Sequence, residues 1–99
     1  MGEDQAVEIA EIFHLLGDPT RLRIVTSCLD ESRNVGEIAA RVGISSSLTS
    51  HHLRLLKGAR LVRAERRGKQ VFYAAADEHI QSVLKDMMDH VAEPDHEDA

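Results

Sequence analysis

The sequence predicts a mainly α-helical domain with one small β-hairpin, and two stretches carry this prediction. Residues 35–56 read as two short helices joined by a tight turn, because apolar residues recur at helical spacing on both sides of Gly43. Residues 61–76 read as two alternating strands joined at Gly68. The predicted fold is therefore a winged helix-turn-helix, a single domain over residues 1–99 whose wing is the hairpin.

Two helices are predicted before this motif. The first spans about residues 5–16, where large apolar side chains recur at helical spacing and Gly17 ends the pattern. The second opens at Asp18, a natural N-cap, and Pro19, which suits the first helical position. Cys28 near the end of this helix is the single cysteine of the chain, so it has no disulfide partner. Its neighbours are apolar, and we therefore expect a buried thiol.

The second helix of the motif presents short polar side chains along its opening turns. Ser45 is expected to cap this helix, and the donors that follow suit base edges and phosphates in a major groove. A recognition helix enters that groove with its N-terminal residues leading. A Ser-rich solvated face is the alternative interpretation. The predicted DNA contacts on this helix are Ser46, Ser47, Thr49, Ser50, His51 and Arg54.

The distribution of charge supports DNA binding although the total does not. A net charge of −5 is unusual for a protein that binds a polyanion. Residues 54–70, however, hold seven cations against one carboxylate, Glu65, for a net charge of +6, while both ends of the chain are acidic. Arg66, Arg67 and Lys69 surround the hairpin tip, and we predict that they contact phosphates, with a plain solvated turn as the alternative.

The last helix is predicted over residues 77–93, with Asp77 as N-cap and an apolar stripe along one face. At 100° per residue, His79 and His90 lie about 20° apart on the helix, with Glu93 close by. The rise along the helix separates the two histidines by roughly 16 Å, whereas a zinc–nitrogen bond is near 2 Å. One chain alone therefore cannot hold one ion with both.

Two chains could form such a site. If the last helices of two copies pair antiparallel, Asp77 and His79 of one lie beside His90 and Glu93 of the other. Residues 5–16 and 77–93 would then be the dimerisation helices, in keeping with a short chain that has only one Tyr, two Phe and no Trp from which to build a core. Two imidazoles and two carboxylates suit Zn(II), with Co(II) and Ni(II) as competitors. Two ordinary surface histidines at an interface edge are the alternative.

These residues together resemble the ArsR/SmtB family of bacterial metal-sensing transcriptional repressors. The likeness covers about residues 7–93 and is carried by LGDPTRLRIV, SSSLTSHHLRLLKGARLV, RRGKQVFY and the spacing of the four candidate ligands. It implies a homodimer that binds an inverted-repeat DNA operator, leaves it when zinc binds between the subunits, and controls metal efflux or homeostasis genes.

The resemblance also assigns particular positions. Thr49 stands where the family usually has a valine, which leaves it open between core and DNA contact. A link from the second ring N–H of His90 to a backbone carbonyl near Arg60 is implied as the route that couples metal to DNA. The family's cadmium and arsenic sensors place paired cysteines near Val35, where this chain has none, so soft-metal sensing is disfavoured. Residues 94–99 form an expected acidic tail, in which Asp95 and His96 could add ligands.

Other functional classes are less well supported. A winged-helix DNA-binding or protein-interaction module with no metal response would share every feature except the role of the candidate ligands. An enzyme is disfavoured, and no small organic substrate is expected, because the chain has neither a recognisable catalytic spacing nor a glycine-rich phosphate loop. The acidic start and the short apolar runs predict a cytoplasmic protein that contacts no membrane.

Overall fold

The computed structural model describes residues 1–94, which form five helices and one three-stranded antiparallel sheet. The tail residues Asp95 and His96 lie outside the described residues. The elements in chain order are α1 (Glu3–Leu16), α2 (Pro19–Ser27), β1 (Arg33–Asn34), α3 (Val35–Val42), α4 (Ser46–Gly58), β2 (Val62–Arg67), β3 (Gln70–Ala75) and α5 (Glu78–Ala92).

Three helices begin at the capping residues that the sequence predicted. Asp18 accepts a hydrogen bond from the Arg21 N–H, Ser45 from the Leu48 N–H and Asp77 from the Ile80 N–H, each at 3.0 Å. Each bond satisfies a backbone N–H that has no partner inside its helix, a contribution of about 1 kcal/mol. The starts of α2, α4 and α5 are thus fixed by local chemistry.

The helix-turn-helix consists of α3, a turn and α4. Gly43 ends α3 in the left-handed conformation, with φ of 82°, and its N–H donates to the Ala39 carbonyl at 2.8 Å. A side chain would be strained at this φ, so glycine permits the sharp turn before Ser45 restarts the helix.

The sheet contains a strand that the sequence analysis missed. The predicted hairpin is present as β2 and β3, but β1 adds to its free edge, with Arg33 opposite Tyr73 and Asn34 opposite Phe72. Two residues are too few to show an alternating pattern. Asn34 also caps α3 in a capping box with Glu37, which ties the wing directly to the helix-turn-helix.

The core is aliphatic and lies among α2, α3, α4 and the base of the wing. Its buried side chains are Ile24, Val25, Cys28, Leu29, Ile38, Val42, Leu53, Leu56, Leu61, Val62, Ala75 and Leu84. Cys28 is fully buried, as predicted, and burial raises the pKa of its thiol to about 11. The thiol therefore stays protonated and serves as a small apolar side chain.

Helices α1 and α5 leave a large apolar surface uncovered. Phe13 on α1 is 62% exposed, and Met87 and Val91 on α5 are 52% and 78% exposed. These side chains line one groove together with Leu16 and Val83. A contiguous apolar surface of this kind usually marks an interaction site. Within residues 1–94, no helix is long and apolar enough to cross a membrane.

Candidate DNA interface and metal site

The recognition helix α4 presents most of the predicted DNA contacts to solvent. Ser46, Ser47, His51 and Arg54 are exposed, and Ser50 is half-buried. The serines occupy the first turns of the helix, where free backbone N–H groups and the helix dipole also attract phosphates. This end of α4 can therefore donate to both base edges and the DNA backbone.

The prediction that Thr49 contacts DNA is wrong. Its side chain is fully buried, and its hydroxyl donates to the Ser45 carbonyl at 2.8 Å. The bond satisfies the hydroxyl inside its own helix, so the threonine can occupy a core position without an unpaired polar group. Thr49 packs α4 against the core and presents nothing to a groove.

The neighbouring His52 is a feature that the sequence analysis missed. His51 is exposed, but His52 turns toward α2, and its Nδ1 is buried without a hydrogen-bond partner among the described residues. Burial, followed by the nearby Arg21 guanidinium, lowers the pKa of His52, while Asp18 opposes the shift and His51 adds slightly to it. Adjacent helical positions differ by 100°, which is the signal that separates the two histidines.

The three wing cations differ in their surroundings. Arg66, Arg67 and Lys69 are all exposed, but Arg67 donates to Glu65 through two nitrogens, at 2.8 and 3.2 Å. The Arg67 guanidinium also lies over the Phe72 ring, 4.7 Å from its centroid. Arg66 lies on the opposite face of β2 and donates to the Gly68 carbonyl at 3.3 Å. The sequence did not reveal that one cation is held by an internal carboxylate.

Two of the four candidate metal ligands lie together at the start of α5. Asp77 Oδ1 accepts from the Ile80 N–H, while Asp77 Oδ2 lies 3.6 Å from His79 Nδ1. The Ile80 hydrogen bond, with a smaller contribution from His79, lowers the pKa of the Asp77 carboxyl and keeps it ionised. Both side chains are exposed, so one carboxylate oxygen and one imidazole nitrogen converge on open space. These two donors fit half of a zinc site.

The other two candidate ligands lie at the far end of the same helix. His90 is in the last turn of α5 and Glu93 is its C-cap, and both are exposed. Within residues 1–94, no three His, Cys, Asp or Glu side chains come together as a metal site. A single ion bound by all four of these side chains would need a second chain, because His79 and His90 lie at opposite ends of α5.

Arg60 occupies the joint between α4 and β2. It is the one residue other than glycine with a positive φ, 62°, in the described chain, and its guanidinium pairs with Glu8 of α1 at 2.9 Å. A groove beside it is also lined by Asp77 and His79. The predicted coupling residue thus adjoins the half-site, and its contact with α1 was not anticipated.

Comparison with known proteins identifies the family to which the chain is similar. The family model described as "Bacterial regulatory protein, arsR family" matches residues 18–64. A transcriptional repressor SmtB homolog from Synechocystis is 39% identical over 95 residues, which cover 96% of this chain and 72% of that protein. A cadmium resistance transcriptional regulatory protein CadC homolog from Staphylococcus aureus is 30% identical over 86 residues, which cover 86% of this chain and 71% of that protein.

A solved structure supports the fold. The homodimeric winged helix-turn-helix DNA-binding domain of a Mycobacterium bovis protein superimposes with a TM-score of 0.83 at 24% identity, over 100% of this chain and 95% of that chain. The family and these relatives are regulators of transcription, not enzymes. The exposed recognition helix, the basic wing and these similarities together place the chain in the ArsR family of winged helix-turn-helix, DNA-binding transcriptional regulators.

Proposed function

We propose that this protein is a homodimeric repressor whose affinity for an inverted-repeat operator falls when zinc binds at two sites between the subunits. The observation that carries the proposal is the division of ligands along α5. Asp77 and His79 converge at its start, while His90 and Glu93 are exposed at its end. An apolar stripe with uncovered side chains runs between them.

The uncovered apolar surface supports a dimer in which the two separated pairs of ligands come together. Antiparallel packing of α5 on a second copy would cover Met87 and Val91 and would bring the start of each helix to the end of the other. Each dimer would then have two identical sites of two imidazoles and two carboxylates. Bound there, zinc would supply a fixed positive charge that links the two subunits. Co(II) and Ni(II) prefer the same nitrogen and oxygen donors.

The absence of exposed thiols supports zinc rather than cadmium as inducer. Cys28 is the single cysteine of the chain, and its side chain is fully buried in the core. The ligands available on α5 are imidazole and carboxylate, which are harder donors than the thiolates that select soft metals. We propose that the regulated genes serve metal efflux or homeostasis.

The coupling route runs from α5 to the joint at Arg60. We propose that the second ring N–H of His90 donates to a backbone carbonyl near Arg60 of the other copy. Arg60 lies between the recognition helix and the wing and lines the groove that Asp77 and His79 share. A hydrogen bond made in one dimer arrangement only would favour that arrangement, and a spacing of recognition helices that misses successive major grooves would weaken binding.

One titration tests both parts of the proposal. An inverted-repeat duplex, selected by the purified protein from a random library, is titrated at fixed salt with and without zinc, cobalt, nickel or cadmium. We expect zinc to weaken binding about 5- to 150-fold, the usual range of allosteric coupling. His79→Gln should abolish this effect, whereas His14→Gln, which removes an exposed histidine of α1, should retain it.

The same titration identifies the alternative function. A winged-helix module with no metal response would bind the selected duplex with equal affinity at every zinc concentration. If zinc leaves the operator affinity of both the wild type and His79→Gln unchanged, the protein still binds DNA but the proposed metal response is refuted.

A further inference from the structure

We infer that Glu65 is an internal competitor for the DNA backbone: it holds the guanidinium of Arg67 at the wing and so reduces the affinity of the protein for duplex DNA. The inference rests on the proposed DNA-binding function and adds a residue that sets its strength. Glu65 is the only carboxylate in the basic segment of residues 54–70.

Three contacts orient the Arg67 side chain in the free protein. Its Nη2 and Nε both donate to the same oxygen of Glu65, at 2.8 and 3.2 Å. Its guanidinium carbon lies 4.7 Å from the centre of the Phe72 ring. Glu65 and Phe72 are directly opposite each other across β2 and β3, and Arg67 follows two residues later on the same face of the sheet. The strand period therefore brings the three side chains together.

Arg67 differs in this respect from the other wing cations. Along the part of the chain that the structure describes, no carboxylate lies within ion-pair distance of Arg66 or Lys69. Arg67 is also the last residue of β2, next to the turn at Gly68, which is the part of the wing that we predict contacts the duplex. Arg67, the cation that pairs internally, is thus among the side chains nearest to any phosphate that the wing tip contacts.

The charges determine the direction of the effect. The Arg67 and Glu65 side chains are 51% and 59% exposed, and a pair of this exposure is weak in water and opens easily. Glu65 nevertheless pairs with Arg67 and neutralises its charge, so a phosphate has to displace the carboxylate before it can bind this guanidinium. Each wing therefore acts with one cation fewer than its sequence suggests.

The test is the salt dependence of binding to a fluorescent duplex of random sequence, which reports phosphate contacts alone. We expect Glu65→Gln to bind more tightly and to make the slope of log affinity against log salt steeper by about 0.9 for each wing, about 1.8 for a dimer. Its gain should accordingly be about tenfold larger at 50 mM than at 200 mM salt. Glu3→Gln, which makes the same change in net charge at the acidic start of α1, should leave the slope unchanged.

A second variant assigns the effect to Arg67. In an Arg67→Ala background, Glu65→Gln should no longer steepen the slope, and a gain that persists there would overturn the inference. Unchanged binding by Glu65→Gln would overturn it too, as would weaker binding, which would show that Glu65 aims Arg67 at the DNA. Failure of the wild-type protein to bind any duplex would refute the proposed function as well.

Discussion

Replacing Met87 should weaken the proposed dimer. The loss of dimerisation free energy can be worked from the exposed fraction of its side chain. Met87 is 52% exposed in the single chain. Fully burying a methionine side chain contributes about 1.5–3 kcal/mol, so the uncovered half is worth about 1 kcal/mol per copy and about 2 kcal/mol per symmetric dimer. Met87→Ala removes roughly this contribution and should weaken dimerisation about 30-fold.

Met87→Glu should be more severe. It places an ionised carboxylate without a partner in a desolvated apolar seam, which adds several kcal/mol unless the group takes up a proton. Sedimentation velocity at micromolar concentration is the assay, and we expect a monomer that keeps its helical circular dichroism, because position 87 is half-exposed within the chain. Ser82→Glu is the matched control, since it adds the same charge on the opposite, exposed side of α5.

The control also defines the refuting result. If Met87→Glu and Ser82→Glu both sediment as dimers with the same sedimentation coefficient, the interface lies elsewhere, and the proposed pairing of metal ligands between two α5 helices fails with it.

Three further predictions concern DNA, pH and metal. Arg66→Ala should weaken binding to all duplexes and flatten the salt slope by about one unit per contact, whereas Ser47→Ala should reduce discrimination between operator and random DNA; titrations at several salt concentrations separate the two. The fold lowers the pKa of His52, so below about pH 6.5 the unfolded chain takes up a proton more readily than the folded one. The free energy of unfolding, measured by urea melts, should therefore fall with pH in this range. The fall should be smaller for His52→Gln. His90→Asn, saturated with zinc, should lose much of the zinc-driven release of DNA, whereas Glu93→Gln should weaken zinc affinity more than release. Full release by His90→Asn would exclude the route through Arg60.

The features that sequence reasoning placed correctly depend on local chemistry. Asp18, Ser45 and Asp77 cap helices within three residues of the N–H groups they satisfy, so each start could be read from a short window. Gly43 is equally local, because a positive φ strongly favours glycine. The four candidate ligands were assigned in the same way from helical spacing, and their assembly between two chains stays a prediction.

The features that sequence reasoning missed depend on contacts between distant residues or on small differences in orientation. β1 is a strand only because β3 offers its free edge some forty residues later. Thr49 and Ser50 are adjacent polar residues on one helix, and their different burial follows from how α4 packs on the core. The pairing of Arg67 with Glu65 needed the strand register, since a basic segment by itself gives no side-chain geometry.

A metal site shared between two chains can bind metal more tightly in one arrangement of the dimer than in another, and this difference is what a metal sensor needs. A ligand shifts an equilibrium between two conformations only if it binds them unequally. A site contained in one rigid helix would keep the same geometry in every arrangement of the dimer and would shift nothing. His79 and His90 lie eleven positions apart on one helix, so a shared ion would depend on how two copies of α5 pack. The spacing that prevents one chain from holding zinc is therefore what would make zinc affinity depend on the arrangement of the dimer, and by reciprocity make DNA affinity depend on zinc.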